Sequence, residues 1–322
     1  MIFHTLISTA LLLSFRTFGT RAADNNNIIP DDVRAIELRT HSLNAPYLDN
    51  EMQSRWFDFG ADTVVRTDQY VRLTGELPSR SGWLWSRVPL TATNWQIVVE
   101  FKIHGTGTLY GDGMAMWLTK QRAQQGAVFG SMDKFDGLGI FFDTYKNNRP
   151  GTVFPYVMAM MGDGQTSYDK HNDGKANELA GCSVRGIRNQ NIPTKLRLTY
   201  LQDKHLVLDL QYKDEYEWTS CFTIPDVKIP GVAYLGFSAE TGELADNHDI
   251  ISISTKNLYS PGPGDDAHSA PKGSTKPSLK ANREKRGSWF GLFFKFLLFG
   301  CVVAGCYVGF TMYRTSRASS RF

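Results

Sequence analysis

The chain has 322 residues, with 35 Lys and Arg against 32 Asp and Glu and a formal net charge of +3. So small an excess of basic residues argues against a nucleic-acid-binding protein, and no nucleic-acid partner is expected. Setting aside the two terminal segments described next leaves one stretch, residues 24–259, of a size suited to a single large β domain.

Residues 6–15 are mostly apolar and are followed by small and polar residues through Gly19, Thr20, Ala22 and Ala23. That layout predicts a secretory signal peptide over residues 1–23. The segment after it contains almost no helical periodicity. Trp95, Ile97, Val99, Phe101 and Ile103 alternate with polar or smaller residues and predict a half-buried strand over residues 95–104. Continuous apolar runs at residues 114–118, 140–142 and 156–161 predict strands buried on both faces. Leu196, Leu198 and Tyr200 alternate, as do Leu206, Leu208 and Leu210, and the runs 232–237 and 250–253 complete the set. Many closely spaced strands without intervening helices predict an all-β antiparallel sandwich or jelly-roll.

Residues 260–288 are rich in Pro, Gly, Ser and charge and predict a flexible stalk. Residues 289–313 are almost wholly apolar, Lys295 being the one charge, and are long enough for a transmembrane helix, which needs about 20 residues. Gly305 and Gly309 form a GxxxG step that would let two such helices approach, a route to a homo-oligomer. Lys280, Arg283, Lys285 and Arg286 precede the span while Arg314, Arg317 and Arg321 follow it, so charge alone does not orient it. The signal peptide does, predicting a type I protein with residues 24–259 luminal and 314–322 cytosolic. Cys301 and Cys306 fall in the span, which leaves Cys182 and Cys221 as a luminal pair. In an oxidising compartment they are expected to form a disulfide, two buried thiols being the alternative. No Asn-x-Ser/Thr sequon is present.

Four loops dense in Asp, Asn, Gly and His adjoin the strong strands. They hold Gly111-Asp112-Gly113, residues 143–148, residues 168–174 and residues 240–249. In the second, Asp143, the Tyr145 carbonyl and Asn147 offer hard oxygen donors of the kind calcium takes, although the pattern is not an EF-hand. Three donors do not complete a site, and Asp173 is the best candidate for a further ligand.

The strings Gly111-Asp112-Gly113, Ile140-Phe141-Phe142-Asp143-Thr144-Tyr145, Tyr168-Asp169, Asn172-Asp173-Gly174 and Asp246-Asn247-His248-Asp249, with Val128-Phe129-Gly130-Ser131 and Leu179-Ala180-Gly181-Cys182, resemble the L-type (legume-type) lectins of the secretory pathway. The resemblance runs in order from about residue 41 to residue 259. It implies a concanavalin-like sandwich, a Ca2+ cofactor and high-mannose glycans on cargo glycoproteins travelling between endoplasmic reticulum and Golgi. The short stalk without heptads is similar to the vesicular integral-membrane branch. Carried over, the resemblance puts calcium on Asp143, Tyr145, Asn147 and Asp173. It puts sugar on Ser79, Asp112, Asn147, Gly242, Glu243 and Leu244, with a cis peptide at Gly111–Asp112.

The chain departs from the family pattern in two places. The family places a sugar-contacting His directly after Tyr-Asp, where this chain has Lys170 and then His171, so either the loop shifts to present His171 or Lys170 donates in its stead. Glu243 stands where smaller or shorter acidic residues are usual. Phe322 at the end of the tail fits an export signal read by vesicle coat proteins, whereas a Lys-Lys retrieval pair is missing. The compartment expected is therefore the endoplasmic reticulum, the intermediate compartment or the Golgi. No enzyme is expected: retaining hydrolysis needs two carboxyl groups about 5–5.5 Å apart across a cleft, and the nearest pair, Glu215 and Glu217, falls in a predicted hairpin turn. The competing reading is a receptor of the same fold that selects cargo by its protein surface, which Lys170 favours.

Overall fold

The computed structural model describes residues 33–259 together with 307–309 and 311–312. In chain order the strands are β1 (Arg34–Glu37), β2 (Phe57–Ala61), β3 (Val64–Arg66), β4 (Tyr70–Thr74), β5 (Ser81–Ser86), β6 (Trp95–His104), β7 (Gly113–Thr119) and β8 (Asp136–Asp143). They continue as β9 (Tyr156–Asp163), β10 (Ala180–Ser183), β11 (Thr194–Leu201), β12 (His205–Gln211), β13 (Thr219–Pro225), β14 (Tyr234–Glu240) and β15 (Asn247–Tyr259). Helical structure in this unit is confined to short 3-10 turns, among them Lys170–Asn172 and Lys175–Asn177.

Two antiparallel sheets face each other. One runs β13-β12-β11-β6-β15-β4-β3, with β1 also paired to β15, and the other runs β10-β9-β8-β7-β14-β5-β2. The strand predicted over residues 95–104 is β6, bounded as expected, and it pairs with β11 on one side and β15 on the other. Its inward residues Trp95, Ile97, Val99, Phe101 and Ile103 enter the layer between the sheets, where they meet Met114, Met116 and Leu118 of β7 and Ile140 and Phe142 of β8. Phe101 meets Phe142 edge-on, centroids 5.0 Å apart.

The continuous apolar runs have a separate cause. Along β7, β8 and β9 the residues facing away from that layer are buried too, in a second cluster of Trp85, Ala115, Trp117, Phe129, Phe135, Phe141, Met158, Met160 and Tyr168. Loops cross this outer face and cover it. Phe141 is wholly buried and packs edge-on against Trp117 and Tyr168 at 5.3 and 5.0 Å, with Phe129 stacked on it at 5.3 Å. The run predicted from residue 232 starts later, since Val232 is exposed beside the Pro230–Gly231 turn and β14 begins at Tyr234. Strands β1 to β5, β10 and β13 lie outside the predicted set.

Cys182 on β10 and Cys221 on β13 form a disulfide with Cα atoms 5.3 Å apart, joining the edge strand of one sheet to the edge strand of the other. The signal peptide, the stalk, the cytosolic tail with Phe322 and most of the predicted span fall outside the described residues. Residues 307–309 and 311–312 are helical, and among the described residues no helix is long and apolar enough to cross a membrane.

A polar network is buried where β15 passes between β4 and β6. Asp249 accepts from Arg72 Nε and Nη2 at 2.7 and 2.8 Å and lies 2.8 Å from His104 Nε2. Burial opposes its ionisation, but the hydrogen bonds from Arg72 and His104 outweigh that and hold its carboxyl below the ordinary value. His248 beside it is wholly buried, with Nδ1 2.7 Å from Thr74 Oγ1 and, among the described residues, no hydrogen-bond partner at Nε2. Burial pushes its pKa down to about 3, against a smaller opposing effect of Asp249.

Two outcomes are expected of the fold. Phe141→Ala should lower unfolding free energy by about 3–5 kcal/mol, as large-to-small changes at buried aromatics do, measured by denaturant titration. His248 stays neutral in the fold while the unfolded chain protonates it below about pH 6.5. Its contribution is therefore fully present above that value and is lost as pH falls from there toward about 3. Between about pH 7.5 and 5 the wild type should lose about 2 kcal/mol more stability than His248→Gln; equal losses would show that the buried ring is charged.

Candidate functional site

The loops rich in Asp and Asn converge at one end of the seven-stranded sheet because of strand register. Gly113 at the start of β7 stands opposite Asp143 at the end of β8 and opposite Glu240 at the end of β14. The residues just outside those three strand ends are thereby side by side. Asp112 donates its backbone N–H to the Glu240 carbonyl at 3.2 Å, and its own carbonyl accepts from the backbone and hydroxyl of Thr144, both at 3.0 Å. The Gly111–Asp112 peptide is cis, as the resemblance implies. Gly111 fits closely here: a Cβ on it would lie 3.1 Å from the Tyr145 Cβ and 3.7 Å from the Leu244 Cβ.

The loop that follows β9 starts from the far end of the sheet and returns across its outer face. Tyr168 anchors it on Phe141 and Phe129. Asp169 then caps the turn Lys170–Asn172 by accepting from the Asn172 N–H, and the chain leaves through left-handed conformations at Asp173 (φ 52°) and Gly174 (φ 64°). Glycine is required at the second position on steric grounds, since a Cβ there would lie 2.4 Å from the Tyr168 ring. This reversal brings Asp173 to Asn147, whose N–H donates to Asp173 Oδ1 and Oδ2 at 3.0 and 3.1 Å and whose Nδ2 donates to Oδ1 at 2.7 Å.

Asp143, Asp173, Asn147 and Tyr145 therefore form one group. Asp143 and Asp173 are 6% and 2% exposed, and among the described residues neither is ion-paired. Burial, reinforced by the negative charge of Asp173 and only partly opposed by the Tyr145 N–H on Asp143 Oδ1 at 3.1 Å, pushes the Asp143 carboxyl well above the ordinary range. Tyr168, also buried, faces both carboxylates with its hydroxyl unpartnered among the described residues, and burial pushes its pKa up strongly. Two buried acids side by side, with Arg149 close enough to donate to the Asp173 backbone carbonyl at 3.3 Å but ion-paired to neither carboxylate among the described residues, next to an exposed amide and a backbone carbonyl, are a donor set that fits a hard divalent cation. Among the described residues no cluster of three His, Cys, Asp or Glu side chains is placed to hold a metal, because half of this set is an amide and a main-chain carbonyl.

Beside this group lies a small cleft lined by Asp112, Ala127, Asn147, Tyr145, Lys170 and Glu240, with buried Phe129, Asp143 and Tyr168 beneath. Burial raises the Asp112 carboxyl above its ordinary value, and the charge of Lys170 partly offsets that. Further along the loop 240–249, Gly242 lies against the Asp112 carboxyl, where a Cβ on Gly242 would be 3.2 Å from Asp112 Oδ2. Leu244 lies over Gly111, and Glu243 is exposed to solvent. Ser79 reaches the same rim because its N–H donates to the Gly242 carbonyl at 2.9 Å, and Thr241 bonds to Leu77 and Arg80 on the same loop. Ser79 has a positive φ of 54°.

At the position of the family His the loop presents Lys170 to the cleft. Lys170 Nζ lies 3.4 Å from the Ala127 carbonyl and 3.5 Å from Glu240 Oε2. His171 turns aside, its ring and carbonyl 3.2 Å from the Asn148 amide. The residues that sequence reasoning leaves without a role are Glu240, Phe129 and Tyr168. Glu240 carried a usable signal, an acid ending an apolar strand just before the glycine loop. Glu215 and Glu217 lie exposed between β12 and β13, in the turn expected for them.

A family model described as the legume-like lectin family matches residues 34–264. The human VIP36-like protein is 44% identical over 221 residues, a match covering 67% of this chain and 62% of that protein, so under two thirds of its length. An L-type lectin-like domain-containing protein of Schizosaccharomyces pombe is 39% identical over 223 residues, covering 69% of this chain and 71% of that protein. The crystal structure of the VIP36 exoplasmic/lumenal domain in its Ca2+/Man-bound form superposes with a TM-score of 0.67 at 41% identity, covering 71% of this chain and 94% of that one, and a Ca2+-bound and a metal-free form of the same domain match similarly. With the two-sheet sandwich and the clustered loops already described, these matches make the chain a member of the legume-like lectin family.

Proposed function

We propose that this chain is a lectin that binds high-mannose N-glycans in a calcium-organised cleft and sorts the glycoproteins bearing them between the endoplasmic reticulum and the Golgi. The observation that carries the reading is the placement of Asp112 between Asn147 and the Gly242 backbone, directly beside the buried pair Asp143 and Asp173. An ionised Asp112 accepts from two neighbouring sugar hydroxyls, and such charge-assisted bonds are roughly twice as strong as neutral ones. Backbone groups at Gly242 and Leu244, with Ser79 and Glu243 on the rim, supply donors and acceptors around the ring. Tyr145, 41% exposed, offers an aromatic surface to the apolar edge of the sugar.

The residues suited to hold calcium are Asp143, Asp173, Asn147 through its amide oxygen and Tyr145 through its carbonyl. Bound there, the ion supplies a fixed positive charge that offsets the two buried carboxylates. Asn147, whose Nδ2 donates to Asp173 here, would link metal and sugar by turning its side-chain amide so that the oxygen serves the ion and the nitrogen the ligand. The crystal forms of the VIP36 lumenal domain with Ca2+ and mannose support this assignment. For the parts beyond residues 33–259, the apolar character of residues 289–313 and the name vesicular integral-membrane protein carried by relatives support a single-pass type I protein. Its signal peptide would be residues 1–23, its stalk 260–288 and its coat-binding tail 314–322.

The test is binding of the full-length chain, in mild detergent, to a high-mannose glycan array with calcium and with chelator. Retention that disappears with chelator and in Asp112→Ala is the expected result. A folded chain that retains no glycan at neutral or mildly acidic pH would favour selection of cargo by protein surface, the reading that Lys170 in the cleft supports.

A further inference from the structure

Glu240 is an acid in an expensive place. It ends β14 between Gly113 of β7 and Ser81 of β5, so neither flanking strand covers its side chain with anything bulky. Its side chain is 24% exposed, and burial raises its pKa against the opposing charge of Lys170. Its ion pair with Lys170 is long, at 3.5 Å, and the lysine is half exposed, a geometry that adds little to stability. The fold gains little from holding a carboxylate there. Both groups line the cleft with Asp112, whose N–H is bonded to the Glu240 carbonyl.

We infer that Glu240 is a second sugar-accepting carboxylate and a specificity-determining residue, with Lys170, which lines the same cleft as Glu240 and Asp112, as its counter-ion. The inference rests on the carbohydrate reading of the cleft and adds the class of sugar it takes. Two carboxylates face one ammonium, so this part of the cleft carries a negative excess. It therefore accepts neutral sugars rich in hydroxyl donors and rejects anionic ones. Lys170 also donates to a ring or hydroxyl oxygen, because only part of its hydrogen-bonding capacity is taken by Glu240 and the Ala127 carbonyl.

The experiment titrates the full-length chain, in mild detergent with calcium, with methyl α-mannoside and with mannose 6-phosphate, for wild type, Glu240→Gln and Lys170→Met. Thermal midpoints are recorded alongside to confirm folding, and Gln preserves the shape of Glu. Wild type is expected to prefer the neutral sugar. Glu240→Gln should weaken the mannoside by about three- to tenfold and shrink the preference over the phosphate by about fivefold or more. Lys170→Met should weaken the mannoside by about tenfold and widen that preference, the opposite change in selectivity. If both variants bind and discriminate like wild type, Glu240 and Lys170 are a surface ion pair and the inference is overturned. A wild-type chain that binds no mannoside would instead overturn the carbohydrate reading itself, so the two failures are distinguishable.

Discussion

Two like charges buried side by side are the constraint around which the functional end of this molecule is organised. Asp143 and Asp173 are about thirty residues apart in the chain, both are almost inaccessible, and the charge of Asp173 adds to the electrostatic cost of ionising Asp143. A carboxylate removed from water is destabilising unless it is paired or coordinated. The surrounding structure answers this in part. Asn147 donates three times to Asp173, and the Tyr145 N–H donates to Asp143. These bonds set the shape of the 143–148 loop, and through Tyr145 against Gly111 they set the position of Asp112. The cleft is thus shaped from the acid pair outward.

Such a pair stays in place only on a rigid support. The support is β7, β8 and β9, buried on both faces, with aromatic rings meeting at centroid distances of about 5 Å above the sheet. Tyr168 belongs to that packing and to the cleft at once, so the loop bearing Lys170 and Asp173 is anchored by hydrophobic burial within a few residues of its polar tip. On the other flank, Thr241 and the Ser79–Gly242 bond couple two rim loops. Asn247, just past them, accepts from the Glu76 N–H and donates to the His104 carbonyl, which fixes the rim to the buried network of Arg72, His104 and Asp249. Rim, floor and acid pair are therefore positioned by separate sets of contacts.

How much of this was legible in the sequence depended on how far each feature was local. β6 was readable to its ends because period-two alternation persists over its whole length and one face meets a core. The runs that became β7, β8 and β9 declared burial on both faces. β5, Ser81–Ser86, and β10, Ala180–Ser183, gave little pattern because they are short and contain glycine and serine. β13 lies at a sheet edge with mostly exposed or half-buried residues, so alternation was weak. β4 did carry buried Val71 and Leu73 in alternation and was readable in principle. In the site, the metal-type donors could be read from residue chemistry and their grouping from resemblance. The choice between Lys170 and His171 could not, since it depends on the turn capped by Asp169 and on Asn148 holding the histidine aside. Glu240 was visible as an acid ending an apolar strand, but its meaning lies in what stands across the strands, Gly113 and Ser81, which only register reveals.

β15 has one more consequence. Its first residue, Asn247, stands at the rim of the cleft, and its last, Tyr259, pairs with Arg34 at the start of β1. Thirteen residues of strand at roughly 3.3 Å each separate those points by about 40 Å. The described chain thus enters and leaves the sandwich side by side, at the pole opposite the clustered loops. Tyr259 therefore leaves the domain about 40 Å along the strand from the rim of the cleft, with the length of the domain itself between the two points.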